Sequence, residues 1–479
     1  KGSLPLDVVA CHELLEQIQV LEERLSAVEE KQGTSSRNAS KPPSSDSPEQ
    51  RSQREPKAKT GRKRGAQPGH PKHERMLLEE SAIPEAHRHY HYPDFQCPCG
   101  SMRQLRPEPI CRHQVFDLPE VQYMVDEHQV FEAVCPCCQR TARGTLPPDV
   151  PRGQMEAGLI SWITLMNGAY NQIVSSIQQL LKVLWQLDFS TGAISQAARP
   201  VSEWLSPLYL QAFDEARQEP VLHADETRHF RRKDQYWLWV LCSPRIAVFM
   251  THCSRGMLAA KQLLGNFSGI LVTDQHGGYN GYDTQLRQLC WAHMIRKFRK
   301  ISSRVGRADK IGTRLLRISQ LMVHFHHRWL EGHYRDDGYR RRMVRIRATF
   351  HALLEQGSLL FQVLSGKPGK TANQCLRLLK DETMLWTFLV NPRLIPLTNN
   401  TAERAIRPYV IWRKTSFFSQ SLRGDPFRPI ILTVVETCKR LGVDAYKLLR
   451  AVCAQGIQGR PVTVRLPIPA LKRMALPAL

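Results

Sequence analysis

Two apolar runs that each end on an aspartate, with a hairpin between them and an acid-bearing segment far downstream, constrain this chain more than any other feature. VLHAD (221–225) ends on Asp225. QYWLWVLC (235–242) and RIAVFM (245–250) are rich in aromatic and β-branched residues, and the SPR between them reads as a hairpin turn. GILVTD (269–274) ends on Asp274 and enters a Gly-rich turn at once. Both acids are therefore expected at strand ends, where side chains converge at one edge of a sheet. Thr398, Asn399 and Asn400 supply helix N-cap chemistry. AERAIRPYV then starts a helix that would project Glu403 toward the strand acids. Any one of these acids alone reads as a turn or cap residue. The order strand–Asp, hairpin, strand–Asp, helix–Glu is far less common by chance.

Three carboxylates so placed would suit a metal-dependent nucleic-acid enzyme of the ribonuclease-H-like type. Two divalent cations on clustered acids activate a water or a terminal hydroxyl and stabilise the leaving oxygen of a phosphodiester. Mg²⁺ usually takes one or two carboxylates plus oxygens of the substrate. Composition agrees. The chain carries 67 Lys+Arg against 44 Asp+Glu, a formal charge of +23, which favours a polyanionic partner, nucleic acid before an anionic membrane surface. No uninterrupted apolar run reaches the roughly 18 residues of a membrane span, and no signal peptide is read at the start. At 479 residues the length prior gives about three domains. The 13 cysteines are odd in number and partly clustered, which points to reduced thiols and a metal site rather than a disulfide framework.

The N-terminal third divides by composition. In residues 1–32, Cys11, Leu14, Ile18, Leu21, Leu25 and Val28 form an a/d seam about two and a half heptads long. A short dimerising coiled coil is the preferred reading, with a helix packed on its own domain as the alternative. Residues 33–75 are a Ser/Pro-rich and then basic linker. Arg62, Lys63 and Arg64 lie at its centre, as an arm along DNA phosphates or as a solvated tether. Residues 76–152 hold Cys97-Pro-Cys99-Gly and Cys135-Pro-Cys137-Cys138, two knuckle-like turns around a β-like stretch. Cys97, Cys99, Cys135 and Cys138 are expected to bind one structural Zn²⁺, with Cys137 competing for the place of Cys138. The first pair is one residue shorter than Cys-x-x-Cys. Residues 153–217 read as helical, and Ser190 would cap a short helix of possible helix-turn-helix type.

With these stretches in view the chain resembles the insertion-sequence-66 family of bacterial transposases, of zinc-finger plus DDE type. The resemblance is carried by SSRNASKPPSSD, GAQPGHPKHER, the paired Cys knuckles, HADET, LVTDQHGGYNGY, CWAHMIRKF, NNTAERAIRPYVIWRK and ETCKRLGVDAY. It implies a multidomain α/β protein with a ribonuclease-H-like core in two parts, 218–293 and 398–460, split by a basic helical insertion at 294–397 and followed by a tail at 461–479. It implies that Asp225, Asp274 and Glu403 are the catalytic, metal-binding triad, with two Mg²⁺ (or Mn²⁺) ions per site. The implied activity is strand cleavage and joining at terminal inverted repeats, acting on double-stranded element and target DNA. Small accessory proteins, a homodimer or larger assembly, a cytoplasmic and nucleoid-associated location and no membrane association follow from the same likeness.

Residues 296–355 hold sixteen bases against five acids, a surface suited to DNA beside the cleaved end. Arg296, Lys297, Arg404, Arg407, Arg413 and Lys414 are the candidate strand-positioning residues, since phosphate contacts fix register without reading sequence. Pro408 is expected to kink or end the helix of Glu403. Trp412 reads as core. Cys290 and His293 in CWAH are expected to support the site structurally. Two other readings stay open: a transposase-derived regulator that binds without cutting, and a structure-selective nuclease that cuts without joining.

Overall fold

A computed structural model describes residues 76–118, 122–304, 306–360, 369–416 and 424–470. The expected coiled coil and the linker with Arg62, Lys63 and Arg64 lie outside the described residues. The described residues fall into two compact units, divided between Val125 and Asp126. In the first, 3-10 turns at Glu80–Ala82 and Glu85–His87 are tied by Arg88, which donates to the carbonyls of Glu80 at 2.7 Å and Ile83 at 3.0 Å.

The described part of the β-like stretch read between the cysteine pairs carries little regular secondary structure. Its regular strand is β1 (Glu132–Val134), paired antiparallel with β2 (Thr141–Arg143). Val115, Phe116, Leu118, Val125, Val130 and Phe131 are exposed, so no buried face drives a longer ladder.

The helical reading that follows is met by α1 (Ala157–Gly168), α2 (Val174–Trp185), α3 (Thr191–Ala198), α4 (Val201–Trp204) and α5 (Ser206–Ala216). Ser190 caps α3, its Oγ accepting from Ala193 N at 3.1 Å.

Next comes a five-stranded sheet in the order β5-β4-β3-β6-β7. Its strands are β3 (Val221–Arg231), β4 (Asp234–Cys242), β5 (Ala247–His252), β6 (Ile270–Thr273) and β7 (Arg287–Leu289). The first three form an antiparallel meander, and β6 and β7 run parallel to β3. Helix α6 (Met257–Leu264) makes the crossover from β5 to β6. The hairpin turn is one residue longer than SPR suggested, since Cys242 pairs with Ala247. Ser243 N bonds Ile246 O at 2.8 Å, so Arg245 and Ile246 belong to the turn. Edge strand β5 is covered by α13 (Gly424–Leu441): Thr433 Oγ1 and Thr437 Oγ1 accept from Phe249 N and Ala247 N at 3.0 and 3.2 Å.

One expectation is corrected here. Asp225 is not at a strand end. Residues Glu226–Arg231 continue β3 because they pair with β4 all the way to Arg231↔Asp234.

Side chains alternate across a strand, and the alternation sorts the cores. Leu222, Ala224, Trp239, Leu241, Val248 and Leu271 face one core, shared with α1–α5, α13 and α14 (Ala445–Ile457). Val221, Ile270 and Val272 face the opposite side, against the insertion. That insertion comprises α7 (Trp291–Ser302), α8 (Arg307–Leu330), α9 (Asp336–Ser358), α10 (Lys370–Lys380) and α11 (Glu382–Leu385). Leu238, Val240 and Phe249 on that same side pack on Ala402, Ile406 and Tyr409 of α12 (Asn400–Thr415). Helix α12 runs unbroken through Pro408, which lacks only the hydrogen bond its own nitrogen would make.

Candidate active site

Strand pairing brings the first two acids abreast. The parallel register matches His223 to Val272. Continued by two residues on each strand, it sets Asp225 beside Asp274. Asp225 shares the strand face of Val221 and His223, the face that α7 and α12 cover. Asp225 Oδ1 accepts from Glu226 N at 2.9 Å, and Asp274 Oδ1 accepts from His276 N at 2.8 Å. Burial, then the neighbouring carboxylates of Glu226, Asp274 and Glu403, push the Asp225 pKa well above the usual carboxylate range.

The third acid arrives on α12. Asn399 stands at its N-cap, but its side chain makes no capping bond. Instead Nδ2 donates to Ala224 O at 2.8 Å and Oδ1 lies 3.1 Å from His223 Nδ1. Asn399 N donates to Cys290 Sγ at 3.2 Å. The helix start is thus anchored to β3 and to the end of β7. Glu403, in the first turn, lies with Oε1 3.8 Å from His293 Nδ1 and 3.6 Å from Arg296 Nη2.

Two buried charges hold the surroundings of these acids in place, and neither was visible as a site residue in the sequence. Arg287 of β7 donates from Nη2 to the carbonyls of Asp274 and His276 at 2.9 and 3.2 Å, and from Nε to Thr273 Oγ1 at 2.9 Å. Glu226, buried on the opposite face of β3 from Asp225, accepts from Tyr279 Oη at 2.8 Å and from Arg255 Nη2 at 2.8 Å and Nε at 3.0 Å. Between them these residues fix the loop that follows Asp274. Gly278 in that loop is obligatory: a Cβ there would stand 2.8 Å from Arg255 O. The signal available in sequence was only the acid directly after Asp225 and the tyrosine five residues after Asp274.

The candidate basic residues separate into groups. Arg296 reaches Glu403, and Lys297 bonds Gln275, the residue after Asp274. Arg404, Arg407 and Lys414 are exposed along α12. Arg413 is half-buried and tied to β3, donating to Thr227 Oγ1 at 2.6 Å and Arg228 O at 2.7 Å. Trp412 is core, with the Arg428 guanidinium 4.2 Å over its ring.

Each cysteine pair forms a local turn within its own unit. Cys97 N bonds Ser101 O at 3.0 Å, and Gly100 takes a left-handed φ of 87°. Hydrogen bonds from Ser101 and Cys97 lower the Cys99 pKa to about 7. Cys135 N bonds Arg140 O at 2.9 Å, and hydrogen bonds from Cys138 lower the Cys135 pKa. Such thiols lie closer to the thiolate that binds metal.

Among the described residues no group of three or more His, Cys, Asp or Glu side chains is arranged to hold a metal ion by itself. Carboxylates such as these would need oxygens of the substrate to complete a divalent-cation site. Glu403 Oε1 and His293 Nδ1 are buried without a hydrogen-bond partner. Asp225 resists ionising among its neighbouring acids, and a cation would relieve that repulsion.

A mixed sheet with acids on or just after adjacent parallel strands and a third on a helix packed over β3 and β4 is a mixed α/β architecture consistent with a transposase. Residues 152–425 match the profile described as Transposase IS66 family. That match covers more than half of the chain, and the chain belongs to this family. Residues 7–76 match a family of unknown function, DUF6444. Among curated relatives, the uncharacterized protein y4qI of Sinorhizobium fredii (strain NBRC 101917 / NGR234) is 29% identical over 47% of this chain and 45% of its own length. The uncharacterized protein y4jD of the same organism is 24% identical over 54% of each chain. The chain thus spans about half the length of these relatives. No described helix is long and apolar enough to cross a membrane.

Proposed function

We propose that this protein is a DNA transposase that binds the terminal inverted repeats of an insertion sequence and catalyses metal-dependent strand cleavage and strand transfer. The convergence of Asp225, Asp274 and Glu403 on one side of the sheet carries the reading, with family membership behind it. The antiparallel meander flanked by two parallel strands supports a ribonuclease-H-like core.

Asp225 and Asp274 would hold two divalent cations, Mg²⁺ or Mn²⁺, and Glu403 would complete one. Bound there, the cations would supply the nucleophile and stabilise the leaving oxygen. The chain's own part is positioning. Asn399 and Arg287 fix the elements carrying the acids. Arg296 stands at Glu403 to meet the scissile phosphate, and Arg404, Arg407 and Lys414 line the approach of the strand. Arg413, also bonded to β3, is proposed with them as a strand-positioning residue. Cys97, Cys99, Cys135 and Cys138 are kept as the proposed structural Zn²⁺ ligands on the pairing of the cysteines in sequence alone. A homodimer or larger assembly and small accessory proteins are proposed partners.

Alanine at Asp225, Asp274 or Glu403 is expected to abolish cleavage of end DNA while leaving end binding nearly intact. Products joined to a target plasmid separate a transposase from a nuclease. Full cleavage by Asp225→Ala would remove the catalytic assignment.

A further inference from the structure

Three buried polar atoms without a hydrogen-bond partner meet beside the third acid: Glu403 Oε1, His293 Nδ1 and Arg296 Nε. Buried polar atoms are nearly always satisfied, so a group like this asks for an ion, a water or a catalytic role. His293 and Arg296 sit one turn apart on α7 and present the same face to Glu403. The two are chemically different. Arg296 is a cation, and at 3.6 Å it supplies positive charge to the carboxylate. With Nδ1 as its unprotonated nitrogen, His293 faces Glu403 Oε1 at 3.8 Å as a second lone-pair donor. That separation is too long for a hydrogen bond. It suits two ligands of one cation, each about 2.0–2.2 Å from it.

We propose that His293 is a further ligand, through Nδ1, of the cation held by Glu403, making one of the two metal positions a mixed carboxylate–imidazole site. The inference rests on the carboxylate–metal reading given above. A nitrogen ligand shifts preference from Mg²⁺ toward a transition-metal cation such as Mn²⁺. Cys290, three residues earlier, takes no part: its sulfur is engaged by Asn399 N and its thiol is pushed up by burial.

The test is Mn²⁺ binding to the full-length protein without DNA, followed by electron paramagnetic resonance, with Mg²⁺ competition and circular dichroism as a check on folding. Wild type should show nitrogen modulation from a directly bound imidazole. His293→Gln should lose that modulation and bind Mn²⁺ about 10-fold or more weakly, with a smaller change for Mg²⁺. His293→Asp should keep a cation, lose the nitrogen signal and shift its preference toward Mg²⁺. An unchanged Mn²⁺ affinity and nitrogen signal in His293→Gln, with binding weakened in Glu403→Gln, overturns this inference alone. Unchanged binding in Glu403→Gln overturns the carboxylate–metal reading and this inference with it.

Discussion

Asn399 Nδ2 donates to Ala224 O at 2.8 Å, and this bond joins the start of the Glu403 helix to the strand residue directly before Asp225. Two catalytic candidates 178 positions apart in sequence are thereby referenced to one another through a single buried amide. Asn399 is 1% exposed, so its loss leaves the Ala224 carbonyl without that partner.

Asn399→Ala should cost about 1–3 kcal/mol, the usual penalty for orphaning a buried hydrogen-bonding group. Cleavage should fall much further than stability, because a small displacement of a catalytic group costs of order 100-fold. Melting temperature and single-turnover cleavage, measured on the same preparation, check the split. Equal small losses in both would show that the bond is structural only.

The Glu226 cluster makes a different prediction. Its side chain is 1% exposed and depends on Arg255 for neutralisation. Arg255→Ala strands a buried carboxylate and should destabilise by about 3–5 kcal/mol, the range for breaking a buried pair from one side. Tyr279→Phe removes one hydrogen bond to a charged group and should cost about 1.5–3 kcal/mol. Denaturant unfolding of the two variants gives the ranking, and a milder Arg255→Ala would contradict it.

In the insertion, α8 crosses α7 at Gly312. A Cβ there would sit 2.3 Å from Ser302 N and 2.5 Å from Ile301 C, both backbone atoms that cannot swing aside. Gly312→Ala should therefore cost about 1–3 kcal/mol or more by overpacking. Limited proteolysis should show earlier cutting within 294–397 than in wild type.

Acid should loosen the same region. His326 is buried, with Nδ1 2.8 Å from Tyr339 Oη, and burial lowers its pKa to about 4. The unfolded value is about 6.5. Between those two values the unfolded chain binds the proton and the folded chain does not. Stability is therefore complete above about pH 6.5 and is lost as pH falls toward 4. His223, also lowered to about 4 by burial, adds a contribution of the same sign. Thermal melts of wild type and His326→Asn across this range should show a shallower pH dependence in the variant.

The three candidate acids stand out in sequence because each follows or opens a locally distinctive element: an apolar run, a Gly-rich turn, a helix start. The strand and helix classes were legible for the same reason. What escaped were relations between distant residues. Asp225 sits mid-strand because Thr227–Arg231 pair with β4, and their polar character hides that pairing. Asn399 looked like a cap, and only the folded contact with Ala224 gives its role. Arg287 and Arg255 carry no signal of their own in the sequence, and only tertiary packing places carbonyls and a carboxylate against them. The bonds of Arg413 to Thr227 and Arg228 of β3 were likewise invisible in the sequence.

The most direct measurement incubates purified protein with labelled element-end DNA and Mg²⁺ or Mn²⁺, beside Glu403→Ala. The account predicts nicking at the element end by wild type in the presence of metal, and none by the variant at equal DNA binding. Cleavage by Glu403→Ala at the wild-type rate would contradict it, as would binding by both proteins with no cleavage by either when accessory proteins are supplied.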